Sequence, residues 1–253
     1  MSPKSMHLES FTPRAGSLAG RAILITGATG GLGHALSVAC ARAGASVIIC
    51  GRNAAKLDRL YDEIEALGGP RPAIAVLDLA TATAADYDSL ARTVSAEFGR
   101  LDGLVHAASI LGDRTPLEQY DVPAWCKVLH VNLTAPFILT QVLVPSLRRS
   151  ANASVIFVSS GVVKNSRPFW GAYAVAKTGL ESVRSLFSLE LQDVSHIRVN
   201  SVNPGRMRTP MRAAAYPGED PNSLPSPDSV TGVFLYLLST DSLAARDGYF
   251  DAQ

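Results

Sequence analysis

The sequence has almost no excess of charge of either sign and contains few cysteines. Its 253 residues include 23 lysine and arginine side chains against 22 aspartate and glutamate side chains, a formal charge of +1. With no general basic field, we expect neither nucleic acid nor an anionic membrane as a partner. The three cysteines are scattered, without Cys-x-x-Cys or Cys/His spacing, so we predict no metal site and a reducing compartment.

Long apolar runs are also missing from the sequence. The stretch from Ala135 to Leu147 is interrupted by Thr140, Gln141 and Pro145, and no run approaches the roughly 18 residues of a spanning helix. The first twenty residues hold no continuous apolar stretch, which argues against a secretory or transit peptide. We therefore predict a cytoplasmic protein that does not enter a membrane.

What the sequence does contain is an alternation of short apolar runs with longer helical patterns. After an N-terminal arm of residues 1–19, this alternation over residues 20–253 predicts one α/β domain, a doubly wound parallel sheet with helices on both faces. About seven strands are predicted, at 22–26, 46–50, 73–77, 103–106, 154–159, 198–202 and 248–251. Helices are predicted at 32–43, 54–67, 84–98, 123–147, 171–194 and 227–238.

One segment interrupts the alternation. Between Asn203 and Pro227 prolines recur too often for a helix or a central strand, so residues 203–227 are predicted to form a long loop. Loops of this length in compact domains are commonly functional, which makes it a candidate lid over the carboxyl ends of the strands. A mobile surface excursion is the alternative.

A glycine-rich turn lies between the first predicted strand and the first helix. The sequence from Thr26 to Gly33 reads Thr-Gly-Ala-Thr-Gly-Gly-Leu-Gly, and the candidate contacts are Gly27, Thr29, Gly31, Leu32 and Gly33. Glycine lets a backbone approach a pyrophosphate closely, and the free N–H groups at a helix start favour an anion. Because strand, turn, helix and second strand occur in order, the pattern predicts a dinucleotide site.

The residues after the second strand discriminate between nicotinamide cofactors. A carboxylate there would bind the ribose 2′-hydroxyl, whereas a cation would pair with a 2′-phosphate. The sequence has Gly51, Arg52 and Asn53 at this point and no acid. Arg52 therefore predicts a preference for NADP(H) over NAD(H); a solvated surface arginine is the alternative.

A candidate catalytic group follows the fifth strand. Tyr173 and Lys177 are four residues apart on a predicted helix and so share one face. A phenol needs a nearby cation to exchange protons at neutral pH, and Lys177 can supply that charge. Ser160 would hold a substrate oxygen while Tyr173 gives or takes the proton.

Taken together, these motifs resemble the short-chain dehydrogenase/reductase family over the chain from about Gly20 to Gln253. The serine of that family precedes the tyrosine by thirteen residues, which selects Ser160 over Ser159. Further matching positions are Asp78, Asn132, and the Asn-Pro-Gly sequence of residues 203–205. More narrowly, the sequences around Trp170 and at residues 249–253 resemble a bacterial, YciK-type branch of the family.

The resemblance implies a Rossmann-type fold and roles for several residues. Asn132 is expected to hold a relay water, and Lys177 to contact the nicotinamide ribose as well as Tyr173. Cofactor contacts are further expected from Asp78, Leu79, Ala107, Pro204, Gly205 and Thr209. The family also implies a homodimer or homotetramer built on the two long helices that carry Asn132 and Tyr173.

The sequence departs from the family where Asn-Asn-Ala-Gly is usual. Here His106, Ala107, Ala108 and Ser109 follow the fourth strand. The lost amide at Ala107 and the added Cβ at Ser109 predict weaker or altered cofactor binding. His106, at the end of a buried strand, is interpreted as a structural residue rather than a proton shuttle.

These observations predict an NADP(H)-dependent oxidoreductase that interconverts a small carbonyl compound and an alcohol. Phe169, Trp170, Met207, Met211 and Tyr216 suggest an apolar pocket and hence a hydrophobic substrate. Two alternatives stay open. One is a dinucleotide sensor without catalysis. The other is a reductase of 3-ketoacyl thioesters on an acyl carrier, which a basic docking patch on the structure would favour.

Overall fold

The structure is a computed structural model that describes residues 5–7 and 14–253. Eight strands occur in this part of the chain: β1 (Ser5–His7), β2 (Ala22–Thr26), β3 (Ser46–Gly51), β4 (Ala73–Val76), β5 (Gly103–His106), β6 (Ser154–Val158), β7 (Arg198–Asn203) and β8 (Tyr249–Asp251). The helices are α1 (Gly31–Arg42), α2 (Ala54–Glu65), α3 (Ala84–Phe98), α4 (Val122–Leu129), α5 (Ala135–Arg148), α6 (Gly171–Leu191), α7 (Pro210–Ala215) and α8 (Thr231–Leu238).

All strands join one parallel sheet in the order β1-β8-β7-β6-β5-β2-β3-β4. The predicted doubly wound α/β fold is therefore confirmed. The chain winds from β2 outward to β4 and then returns to β5 on the other side of β2. Because ligands of such sheets bind where the winding reverses, the carboxyl ends of β2 and β5 mark the expected site.

Helices cover both faces of the sheet, which explains why its central strands β2, β5 and β6 are buried along their whole length. On one face, Ile23 and Ile25 of β2 join a buried cluster with side chains of α1, α2 and α8. On the other face, Leu24 joins a cluster with side chains of α3, α5 and α6. Alternate residues of one strand thus anchor both helix layers.

The predicted N-terminal arm is only partly described, since residues 1–4 and 8–13 lie outside the described residues. Residues Ser5–His7 form β1, which pairs with β8 and adds an edge strand to the seven predicted. Leu18 is fully buried, and its N–H donates to the carbonyl of Ala43 at 3.0 Å. The end of the arm is therefore packed onto the domain.

Three local features differ from the sequence prediction. The helix predicted at 123–147 contains a π-helical turn at His130–Thr134 between α4 and α5. The predicted loop at 203–227 contains α7, so the expectation that prolines exclude a helix there was wrong. Pro210 occupies the first helical position, where no N–H is needed, and Thr209 caps the helix by accepting from the Arg212 N–H at 3.2 Å. Finally, α8 is preceded by a 3₁₀ turn at Pro227–Val230.

By length and composition, the helical stretch Val122–Arg148 is apolar enough to cross a membrane, with a mean hydropathy of 1.5. Sequence inspection did not identify this stretch, because Thr140 and Pro145 interrupt its apolar run. Leu139, Leu143 and Leu147 on this stretch are fully buried in the cluster beneath the sheet. It therefore occupies the position of a core helix.

The three cysteines are free and differ in exposure. Cys40 and Cys50 are buried, and burial raises the pKa of both thiols to about 12. Cys126 on α4 is exposed. Within the described part of the chain, no group of three or more His, Cys, Asp or Glu side chains is arranged to hold a metal ion.

Candidate active site

A cleft of about 950 Å³ opens at the carboxyl edge of the sheet, above the point where the winding reverses. Its lining is drawn from the turn after β2, the ends of β3 to β7, the start of α6 and the segment that contains α7. Every site residue predicted from the sequence lines this cleft except Asn132. The fold therefore gathers residues that are far apart in sequence into one cavity.

The glycine turn after β2 forms the floor of one end of the cleft. Gly27 has a φ of +64°, and a Cβ there would lie 2.7 Å from the Cα of Ala108. A Cβ on Gly33 would lie 2.1 Å from the Gly27 carbonyl oxygen. The first turn of α1 carries no acidic side chain, so its N–H groups and dipole favour an anion. This glycine-rich cradle fits the pyrophosphate of a dinucleotide.

Cations lie at the far end of that cradle, beside the end of β3. Arg52 is exposed and lines the cleft, as does Lys56 in the first turn of α2. Asn53 between them accepts from the Lys56 N–H at 2.9 Å and caps α2. Sequence reasoning missed Lys56, although its position four residues after Arg52, at a capped helix start, was a usable signal. The pair fits a 2′-phosphate.

Asp78 follows β4, and its carboxylate caps the turn after that strand. Its Oδ1 accepts from the Ala80 N–H at 3.0 Å, and its carbonyl accepts from Thr81 and Ala82. Asp78 and Leu79 also line the cleft. The carboxylate therefore fixes a turn that presents both residues to the cleft.

Ser160, Tyr173 and Lys177 meet in the middle of the cleft. Tyr173 and Lys177 are buried near the start of α6, and Ser160 follows the end of β6. Burial raises the pKa of Tyr173, while hydrogen bonding from the hydroxyls of Ser160 and Ser109 acts in the opposite direction. Both serines therefore favour the phenolate form.

Lys177 is the cation of this group. Its Nζ donates to the Val158 carbonyl at 2.7 Å and lies 5.7 Å from the centre of the Tyr173 ring. Burial lowers the pKa of Lys177 to about 8, and the nearby Glu181 carboxylate opposes that shift. At neutral pH the ammonium is thus still charged, beside the phenol.

Asn132 lies in the π turn and outside the cleft lining. Its Oδ1 accepts from the Ile110 N–H at 2.9 Å, and its Nδ2 donates to the Ile110 carbonyl at 2.8 Å. Both polar ends of the side chain are therefore used to hold the backbone of a residue that does line the cleft. The side chain of Asn132 therefore positions the cleft wall at Ile110.

The segment that departs from the family pattern has a clear geometry. His106 is buried, its Nε2 lies 2.8 Å from Thr140 Oγ1, and its ring stacks on Phe157 at 4.7 Å. Burial and the charge of Lys177 lower the pKa of His106 to about 3, so the imidazole is neutral. These contacts are those of a structural residue.

Ser109 occupies the position at which the family usually has glycine. Its Oγ is enclosed, and it approaches the Tyr173 phenol without closing a well-aligned hydrogen bond. Ala108 donates to Thr26 Oγ1 at 3.2 Å on one side, and Asn132 holds Ile110 on the other. The backbone on both sides is therefore fixed, which points the added hydroxyl at the tyrosine.

The segment after β7 closes the cleft on its outer side. Gly205 in this segment has a φ of +75°. The Thr209 Cγ2 would lie only 2.7 Å from a Cβ added at Gly31, which shows that the segment packs closely on the glycine turn. Gln253 donates to the carbonyls of Pro204 and Arg206 at 2.9 and 2.8 Å. Gln253 also lines the cleft, and nothing in the sequence pattern marked it.

Comparison with known proteins gives consistent matches. Residues 21–220 match the short chain dehydrogenase family. The chain is 39% identical over 243 residues to the uncharacterized oxidoreductase YciK of Escherichia coli K12, with 96% of each chain covered.

Solved structures agree with that match. A Pseudomonas syringae structure described as a short chain dehydrogenase has a TM-score of 0.95 and 45% identity, covering 97% of this chain and 100% of that one. A Shigella flexneri structure complexed with NADP has a TM-score of 0.92 and 39% identity, covering 95% and 100%.

Proposed function

Because this chain belongs to the short-chain dehydrogenase family and is an oxidoreductase of that family, we propose that it interconverts a carbonyl compound and an alcohol with NADP(H). The observation that carries the proposal is the convergence of Tyr173, Ser160 and Lys177 in one cleft with the glycine cradle. NADPH, when bound, supplies the hydride. The protein supplies position, charge and the proton.

In this reaction Ser160 donates a hydrogen bond to the substrate oxygen. Tyr173 gives its proton to that oxygen in reduction and takes it back in oxidation. The charge of Lys177 stabilises the phenolate that results. Asn132 holds Ile110, which is part of the cleft wall, in place. We further propose that the π turn at Asn132 binds a water that relays protons, as the resemblance to the family implies.

The preference for NADP(H) rests on the adenosine end of the cleft. Arg52 and Lys56 are both cations, and the residues directly after β3 include no acid that could bind a free 2′-hydroxyl. A structural relative was solved with NADP. A Kd for NADPH well below that for NADH is the expected result of equilibrium titration.

The segment 203–227 is proposed as the substrate lid. Its residues Met207, Met211 and Tyr216 line the cleft, as do Trp170 and Ile110. The wall near the reacting groups is therefore largely apolar, which suits a hydrophobic substrate.

The proposed assembly is a cytoplasmic homodimer or homotetramer. Val175, Leu186 and Leu189 are exposed on α6, and their spacing places them on one face; Phe137 of α5 is 40% exposed and contacts Phe187. An apolar stripe on a core helix is typical of a surface that packs against another copy. Leu186→Glu is expected to lower the mass measured by light scattering, whereas Leu243→Glu, at an exposed leucine elsewhere, is not.

The decisive experiment is NADPH and NADH oxidation by wild type and Tyr173→Phe across ketones, aldehydes, quinones and 3-ketoacyl thioesters. We expect turnover with at least one class, and a loss of about 10²–10⁴-fold in the variant with cofactor binding retained. Tight cofactor binding with no turnover of any class would instead support a sensor. Turnover confined to the carrier-bound thioester would support the acyl-carrier alternative.

A further inference from the structure

Three guanidinium groups converge on Tyr216 at the outer end of the cleft. Arg114 and Arg212 lie over the Tyr216 ring, at 5.2 and 3.8 Å from its centre. Arg167 donates to the Tyr216 hydroxyl at 3.2 Å. Only Arg212 has a carboxylate partner among the described residues, a bidentate pair with Glu219 at 2.5 and 2.6 Å. The cluster therefore carries uncompensated positive charge.

Arg167 is the member of this cluster whose charge is available to a ligand. It is exposed and lines the main cleft together with Tyr216 and Trp170. Arg114, by contrast, lies over the Trp170 ring at 4.6 Å and donates to the Ala215 carbonyl at 2.5 Å, which fastens α7 to the start of α6. One arginine thus builds the wall, and the other faces the cavity.

The backbone beside Arg167 supports a binding role. Phe169, two residues on, has a φ of +68°, a conformation that is unfavourable for a bulky side chain. Strain of this kind concentrates at ligand-binding segments, where the surrounding structure enforces it. Here it occurs between Arg167 and Trp170, the two cleft residues of this segment.

The distance from the reacting groups sets the size of the ligand. The rings of Tyr173 and Trp170 are 5.7 Å apart, and those of Trp170 and Tyr216 are 6.0 Å apart. Arg167 therefore lies two aromatic rings beyond the proton donor, along an apolar wall that includes Met211. Arg52 and Lys56, which suit the cofactor phosphate, are at the opposite end of the cleft.

Resting on the proposed carbonyl–alcohol chemistry, we infer that the substrate bears an anionic group, carboxylate or phosphate, several carbons from its carbonyl. Arg167 and the Tyr216 hydroxyl bind that group by charge-assisted hydrogen bonds. The apolar carbons between the two groups lie along Trp170 and Met211. The substrate is thus amphipathic, an oxo acid or oxo phosphate rather than a simple hydrophobic ketone.

The test compares kcat/KM for methyl-ketone carboxylic acids of increasing chain length, their methyl esters and the matching phosphate monoesters. Wild type is expected to prefer an acid or phosphate over the ester by about tenfold or more. Arg167→Met should abolish this preference, and Arg167→Lys should keep part of it. The control is Arg208→Met, which removes an exposed charge of the segment 203–227 outside the cleft lining and should keep the full preference. A preference for phosphate over carboxylate identifies the phosphate as the natural group.

A binding experiment separates this inference from the proposed reaction. Octanoate and octyl phosphate are titrated into the NADP⁺-saturated protein by calorimetry, with octanol as the neutral control. Binding of an anion that is lost in Arg167→Met but kept in Arg208→Met supports the anion subsite even if no ketone is reduced. Reduction of ketones with equal kcat/KM for acid and ester, or anion binding unchanged in Arg167→Met, would overturn the inference while leaving the reaction in place.

Discussion

The two ends of the cleft hold their positive charges by different means. At the end proposed for the adenosine, Arg52 and Lys56 belong to one strand–helix connection, in which the cap at Asn53 holds the backbone between them. At the outer end, Arg114, Arg167 and Arg212 come from three separate segments and meet through the rings of Trp170 and Tyr216. The first arrangement is set by local backbone structure, and the second depends on tertiary packing. Substitutions should therefore act on single contacts at the first end and on several segments together at the second.

The largest expected effect is at the cofactor end. Gly33→Ala places a Cβ 2.1 Å from the Gly27 carbonyl oxygen, and this clash can be relieved only if the backbone of the turn moves. The affinity for NADPH should therefore fall by about 100-fold or more. Gly31→Ala meets only the Thr209 side chain and should cost less. Gly218→Ala, with nothing within 4 Å, is the control. Fluorescence titration gives the three Kd values, and circular dichroism checks folding; equal affinities in folded proteins would refute the cradle.

Between the two ends, Lys177 is expected to reduce stability at neutral pH. Its folded pKa of about 8 is below the ordinary value of 10.5, because burial penalises the charge. Between pH 8 and 10.5 the unfolded chain binds the proton more tightly, so wild-type stability rises with pH across that window. Lys177→Met should therefore be more stable than wild type at pH 7, by about 3 kcal/mol, with the advantage shrinking above pH 8.

Urea unfolding at pH 7 and at pH 10 measures both stabilities. Lys127→Met, at an exposed lysine of α4, serves as the control for loss of a charge. A Lys177→Met protein less stable than wild type at pH 7 would show that the hydrogen bond to Val158 outweighs the burial cost.

The phosphate preference should depend on the proposed adenosine end alone. Arg52→Ala and Lys56→Ala are each expected to weaken NADPH binding by about tenfold, since a charge-assisted hydrogen bond to phosphate is lost, while NADH binding stays unchanged. Arg59→Ala, on the exposed side of the same helix, is the matched control. Parallel losses for NADH and NADPH would contradict the assignment.

The smallest expected effect is at Ser109. Ser109→Ala removes one of the two hydroxyls that favour the phenolate, so the pKa of Tyr173 should rise. In alcohol oxidation the pH profile of kcat/KM should move to higher pH, with a loss of about threefold at pH 7.

A second prediction concerns cofactor binding. If Ser109 and Ala107 weaken the cofactor site, the double variant Ala107→Asn, Ser109→Gly should bind NADPH more tightly. Unchanged affinity would reject that effect and leave the influence of Ser109 on the Tyr173 phenol as the reason for its presence.

The sheet could be predicted from sequence because its central strands are buried on both faces and so form short, largely apolar runs. The glycine turn could also be predicted, because the local backbone conformation there requires glycine. The proximity of Tyr173 and Lys177 could be predicted because residues four apart share one face of a helix. Helix α7 was missed because Pro210 was counted as a helix breaker, although a cap at Thr209 places it at a permitted position. Other features could not be predicted because they depend on packing between distant segments, which the hydrophobic periodicity of a sequence does not reveal. They are the π turn, the contact of Ser109 with Tyr173 and the arginines around Tyr216.

The exposure of the cysteines makes the native chain a reporter of its own cleft. A thiol with a pKa near 12 inside the core is almost entirely uncharged and unreachable, so Cys40 and Cys50 will not take up a maleimide dye at neutral pH. Cys126 will, and it adjoins Lys127, which lines the cleft. A single fluorophore can therefore be attached without mutagenesis and followed in real time as ligands enter.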